Sequence, residues 1–106
     1  MNKFEVELQG FLMEARRSAR GILPPLRCAD GFELSVQVGS FLYCTPRSDV
    51  GPWTHVEVGY PSHVEPLLWP YAETPGDWTN TVYPYTPVEV LAAVVELHDG
   101  FTGWNM

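Results

Sequence analysis

The chain has 106 residues, 45% of them hydrophobic and 18% charged. That is enough for one core and too few for two, and too apolar for a disordered segment. Thirteen acids against six bases give a net charge of −7, which disfavours binding to nucleic acid or to an anionic membrane surface. The charge is uneven. Residues 1–27 hold Lys3, Arg16, Arg17, Arg20 and Arg27 against Glu5, Glu7 and Glu14, a net +2. Residues 28–106 hold Arg47 alone against ten acids, a net −9. No apolar run approaches a membrane span, and no leader-like stretch opens the chain, so a cytoplasmic protein is expected. Cys28 and Cys44 make no disulfide framework and read as buried thiols on neighbouring strands.

The first predicted element is a helix over residues 2–20. Phe4, Leu8, Phe11, Leu12, Ala15 and Ala19 recur at helical spacing, and Asn2 with Glu5 forms a capping-box-like start. Arg16, Arg17 and Arg20 suit the negative end of the helix dipole, and Gly21 suits the C-cap. Pro24-Pro25 bars any continuation. A short strand over 26–29 then meets Asp30-Gly31, a favoured two-residue hairpin turn. Phe32, Leu34, Val36 and Val38 alternate with Glu33, Ser35 and Gln37, the period of a half-buried strand. Gly39-Ser40 turns the chain into a strand over 41–45, and 46–52 (P-R-S-D-V-G-P) is a loop. From Trp53 to Tyr60 the alternation returns, with Thr54, Val56, Val58 and Tyr60 on one face and Trp53, His55, Glu57 and Gly59 on the other.

Ser62 and Glu65 offer caps for a short helical turn through Leu68, limited by Pro66 and Pro70. Residues 73–81 (E-T-P-G-D-W-T-N-T) form an exposed loop. Val82–Tyr85 is a short strand that Pro84 confines to a sheet edge. Thr86-Pro87-Val88-Glu89 is a capping box with proline at the first helical position, opening a helix with Val88, Leu91, Ala92 and Val95 on its buried stripe and Gly100 past its end. Residues 101–106 carry no assignable pattern. The order predicts one α+β domain: a three- to four-stranded antiparallel meander with an N-terminal and a C-terminal helix on one face.

Chemistry-bearing motifs are sparse. Cys28, Cys44, His55, His63 and His98 match no metal-ligand spacing, and neither metal nor cofactor is expected. Cys44, His55 and Asp49 are the right types for nucleophilic catalysis, but nothing in the sequence joins them, so an enzyme is not expected. Four Trp and five Tyr could stack on bases, yet Trp53–Tyr85 contains no Lys or Arg and carries Glu57, Glu65, Glu73 and Asp77. The same features suit the opposite role, in which carboxylates on a rigid sheet and its loops stand where a nucleic-acid-binding protein expects phosphate. Asp30, Glu33, Asp49, Glu57, Glu65, Glu73 and Asp77 are the candidate partner contacts, with aromatics as anchors. An acidic face serving solubility alone fits the composition equally well.

The segments "ADGFELSVQVGSFLYCTPR", "GPWTHVEVGYPS" and "VYPYTPVEVLAAVVELHDGF" resemble a family of small phage and prophage proteins, over roughly residues 28–101. The chain also looks like an anti-CRISPR inhibitor of type I, and specifically type I-C, effector complexes. The resemblance implies an inhibitor that binds the host surveillance (Cascade) complex, at the large subunit that recognises DNA, and keeps target DNA from engaging; a monomer without a cofactor is expected. The other reading is a phage accessory protein that binds some other host protein.

Overall fold

The computed structural model describes residues 3–18 and 21–104. It is an α+β fold of eight elements in the order helix α1 (Lys3–Ser18), β1 (Leu26–Cys28), β2 (Glu33–Gln37), β3 (His55–Gly59), a 3₁₀ helix (Pro66–Tyr71), β4 (Val82–Pro87), helix α2 (Val88–Leu97) and β5 (Phe101–Trp104). All strand pairs are antiparallel and the sheet runs β4-β3-β2-β1-β5. The meander is therefore β1 to β4. The chain then crosses through α2 and adds β5 to the far edge, a fifth strand beyond the three or four expected.

Leu34, Val36, Val56, Val58 and Tyr83 form the buried face of the sheet. Leu8 and Leu12 of α1 and Leu91, Ala92, Val94 and Val95 of α2 join the same core, and the two helices pack on each other. This is the amphipathic pairing that the 3.6-residue and 2-residue periods dictate. The predicted Asn2 cap, with Ala19 and Arg20, lies outside the described residues.

Several local expectations are corrected. The turn between β1 and β2 is a three-residue loop, 29–31, closed by Cys28 and Phe32: Gly31 N–H donates to the Cys28 carbonyl (3.0 Å) and Cys28 N–H to that of Phe32 (2.8 Å). Gly31 alone takes positive φ (96°), and the Asp30 carboxylate accepts from Phe32 N (2.9 Å), so the turn is not the two-residue type. Residues 41–45 are not a strand; Thr45 makes only an isolated bridge to His55, and Cys44 lies buried in a loop. Trp53 joins the core, while Tyr60 leaves the strand at positive φ (49°) and is exposed. β4 does occupy an edge, and its bulge opposite Val56–Val58 falls at Pro84-Tyr85, where the missing N–H costs no ladder bond. The capping box does not form: the Thr86 hydroxyl donates to the Tyr83 carbonyl (2.9 Å), and Val88 N–H finds the Thr54 carbonyl (2.9 Å).

Two buried glutamines hold irregular chain against this frame. The Gln37 amide accepts from Leu23 N–H (2.8 Å) and donates to the Leu23 carbonyl (2.9 Å). Gln9 on α1 does the same for Trp53, whose N–H it accepts at 3.0 Å and to whose carbonyl it donates. Each amide takes the place of a neighbouring strand for a backbone that has none. Gln37 is thus 2% exposed, on a face expected to be open. The 21–25 segment covers that part of the sheet.

Candidate functional site

The seven candidate carboxylates do not share one face. Glu33 and Glu57 do lie on the sheet face away from the helices, half-buried. Glu33 stands opposite Arg27 in the β1–β2 register, and Glu57 opposite Gln37. The Glu57 carboxylate is already used, accepting from Tyr43 N (3.0 Å) to hold the 39–47 loop across β3. Asp49 accepts from Ser40 N (2.9 Å) on the far side of that loop. Glu73 and Asp77 are exposed on the loop that follows the 3₁₀ helix, beside the stacked Trp69 and Trp78 rings, whose centroids lie 4.7 Å apart.

Asp30 and Glu65, 35 positions apart, meet on one side chain. His98, the C-cap of α2, has Nδ1 2.6 Å from Asp30 Oδ2 and Nε2 2.8 Å from Glu65 Oε1. Its ring stacks on Phe32 at 4.0 Å and 9°. Glu65 is 3% exposed, and its other oxygen caps the 3₁₀ helix by accepting from Leu67 N (3.1 Å). Glu65 is therefore no partner contact: burial removes it from the candidate set, and both its oxygens serve the fold. Burial of the imidazole opposes its charging, but the hydrogen bonds and charges of Asp30 and Glu65 outweigh this and raise its pKa above 6.5. The Asp30 carboxyl is held below its ordinary value, first by the Phe32 N–H and then by His98.

The negative charge gathers around this clamp. α2 ends in a Schellman motif, with Asp99 N–H to the Glu96 carbonyl (3.2 Å), Gly100 N–H to that of Val95 (2.8 Å), and Asp99 in the left-handed region (φ 68°). The last turn has no Lys or Arg. Glu96 and Asp99 are exposed there with Asp30 beside them, at the end of the helix where the dipole is already negative. Acids here oppose the usual preference for cations, and His98 is the one compensating group on the cap. Glu96 and Asp99 escaped the sequence reading because nothing local distinguishes them from any solvated acid.

Among the described residues Cys44, His55 and Asp49 each bond to separate groups and not to one another. Cys44 Sγ lies within hydrogen-bond distance of the Gly39 N–H and carbonyl and of the Pro46 carbonyl, Asp49 is held by Ser40, and His55 Nδ1 lies 2.9 Å from the Thr54 hydroxyl. Burial, with Asp30 nearby, pushes the Cys28 thiol up to about 11, far from a reactive thiolate. Among the described residues no three His, Cys, Asp or Glu side chains converge as metal ligands. In the Asp30–His98–Glu65 clamp the two carboxylates sit on opposite nitrogens of the ring. No described helix is long and apolar enough to cross a membrane. No family model, curated protein or solved structure matches the chain.

Proposed function

We propose that this chain is an anti-CRISPR inhibitor that binds a type I surveillance complex, at its DNA-recognising large subunit, and blocks target DNA by presenting carboxylates in place of phosphates. The observation that carries the reading is the concentration of exposed carboxylates at the C-terminal pole of α2. There Asp30, Glu96 and Asp99 add to the negative end of a helix in a body of net charge −7. A protein surface built to hold DNA is basic, and such a pole is drawn to it.

The contact set is Glu96 and Asp99 at the pole, with Glu73 and Asp77 from the loop after the 3₁₀ helix; Asp30 adds charge there although its two oxygens are held by Phe32 N–H and His98. Glu33 and Glu57 are secondary, because Arg27 faces the first and Tyr43 N occupies the second. Asp49 lies on the other side of the 39–47 loop and Glu65 is buried. Single exposed pairs contribute about 0–1 kcal/mol, so affinity needs several of them together with apolar contacts. Val64 and Leu97 are exposed on either side of the clamp, and Trp69 with Trp78 lies one loop away. The role needs no cofactor, metal, membrane or direct contact with nucleic acid.

The test is target-DNA binding by a purified type I-C complex with and without this protein, at two salt concentrations. Loss of DNA binding that salt relieves is the expected result. Undisturbed DNA binding with no complex formed would overturn the assignment.

A further inference from the structure

The 39–50 loop carries the most exposed large apolar side chain among the described residues, Phe41, at 91%. A ring left this bare on a floppy loop would be unremarkable, but this loop is fastened on several sides. Ser40 N–H donates to Asp49 (2.9 Å) and Tyr43 N–H to Glu57 (3.0 Å). Arg47 Nε donates to the Leu42 carbonyl (3.2 Å), and Tyr85 N–H on β4 to the Tyr43 carbonyl (3.1 Å). A fixed backbone that displays a bare aromatic ring has the form of a pre-organised anchor, since little entropy is lost when the ring is buried by a partner.

Beside Phe41 lies a cleft of about 490 Å³ bounded by Ile22, Leu42, Arg16, Arg17 and Asp49. Beyond Ile22, which walls both, is a second cleft of about 360 Å³. Ile22, Pro25 and Tyr60 supply its apolar walls over the buried Leu23 and Leu34, with Glu33, Ser35 and Ser62 at its side. The patch therefore carries a knob, an apolar hole, an arginine pair and a carboxylate, with the knob and arginines on one side of Ile22 and the hole and carboxylate on the other. Ile22 itself is 72% exposed.

We infer that this patch is a self-complementary dimer interface, with Phe41 of each copy seated in the Ile22–Pro25–Tyr60 cleft of the other about a twofold axis near Ile22. A twofold places each feature against its counterpart: ring in hole, and the exposed Arg17, which shares only a surface pair with Glu14 (3.5 Å), toward Glu33 of the second copy, while Arg16 holds the Val38 and Gly21 carbonyls of its own chain. It also brings together the part of this acidic chain where cations concentrate, so the self-repulsion that a net −7 imposes is least there. An unlike protein would have to supply both an apolar pocket and a carboxylate that the chain already presents beside the knob. The interface is separate from the α2 pole, and the inference stands without the inhibitor reading. In a dimer, two acidic poles would be presented by one particle.

The test is sedimentation equilibrium of the full chain from micromolar to millimolar concentration, with Phe41→Ser, Tyr60→Ser, Arg17→Glu and Val50→Ser as variants. The wild type is expected to move from chain mass to twice chain mass. Phe41→Ser and Tyr60→Ser are each expected to weaken association about tenfold or more. Arg17→Glu weakens it, and adding Glu33→Arg to that variant restores part of the loss. Val50→Ser, also an exposed apolar side chain of that loop but lining neither cleft, leaves it unchanged. Thermal melts of the variants confirm folding, which an exposed ring does not govern. A wild type that stays at chain mass throughout overturns the proposal. So does a dimer indifferent to Phe41→Ser, which would place the contact elsewhere, such as the free edges of β4 or β5.

Discussion

Replacing His98 by Ala removes the one side chain that ties the β1–β2 turn, the 3₁₀ helix and the end of α2 together. Three losses can be weighed. The Glu65 carboxylate is buried and gives up a 2.8 Å charge-assisted bond, which is worth about 1.5–3 kcal/mol. The imidazole leaves its stack on Phe32, a further contribution of about 0.5–1 kcal/mol. The Asp30 bond lies at the exposed rim and is given no weight. The sum, about 2–4 kcal/mol, is a large share of the stability of a domain this size and corresponds to a fall in melting temperature of roughly 10–25 °C. The pH dependence sharpens the test. The folded-state pKa of His98 lies above 6.5, so its contribution is complete below pH 6.5 and is lost as pH rises through the folded value. That of Asp30 lies below 3.8, so its contribution is present above pH 3.8 and is lost as pH falls through the folded value. The clamp is therefore strongest between about pH 3.8 and 6.5, and the gap between wild type and His98→Ala should be widest there and narrow toward alkaline pH. Urea unfolding of both proteins across this range is the assay. A gap below about 0.5 kcal/mol near pH 5.5, or one that does not change on passing to alkaline pH, would refute the reasoning.

Other consequences follow from single residues. Gln37→Leu leaves the Leu23 N–H and carbonyl without partners under the 21–25 segment and should cost about 2–4 kcal/mol in denaturant unfolding. Asp99→Gly relieves a left-handed backbone at the C′ position of α2 and should stabilise by about 0.5–1 kcal/mol, read as a rise in melting temperature. The Cys28 thiol, buried and pushed up to about 11, should react with a thiol reagent at neutral pH only at the rate of unfolding; fast modification of the folded protein would contradict its placement.

The parts of the fold that the sequence announces are those with local periodicity. Both helices, β2 and the core of β3 follow from apolar spacing, and Pro84 marks an edge because its ring cannot donate. What was not legible depends on distant partners. β5 is four residues, Phe101–Trp104, organised by the edge of β1, some 75 residues away, and by the packing of Phe101 on Phe11 of α1. Residues 41–45 (F-L-Y-C-T) have strand composition, but the backbone bonds that fix Cys44 and Tyr43 come from Leu42 and from the Glu57 and Tyr85 positions, so the chain coils across the sheet instead of joining it. The carboxylates illustrate the same limit. Glu65 reads as an exposed cap acid and is in fact a buried one, because its partner His98 lies 33 positions further on. Glu57 reads as free and is spent on Tyr43. Sequence gives the sign of the surface; only the fold distinguishes an acid that holds the protein together from one offered to a partner.

The proposed docking of the acids at the end of α2 on a basic partner rests on charge that a pair of substitutions can reverse. The most direct measurement is the equilibrium affinity of this protein for a type I-C surveillance complex, over a series of salt concentrations, for the wild type and for Glu96→Lys/Asp99→Lys. Wild-type binding is expected to weaken steeply with salt, and the variant to fold normally yet bind at least about tenfold more weakly with a shallower salt dependence. Equal affinity of the two proteins at every salt concentration would contradict it.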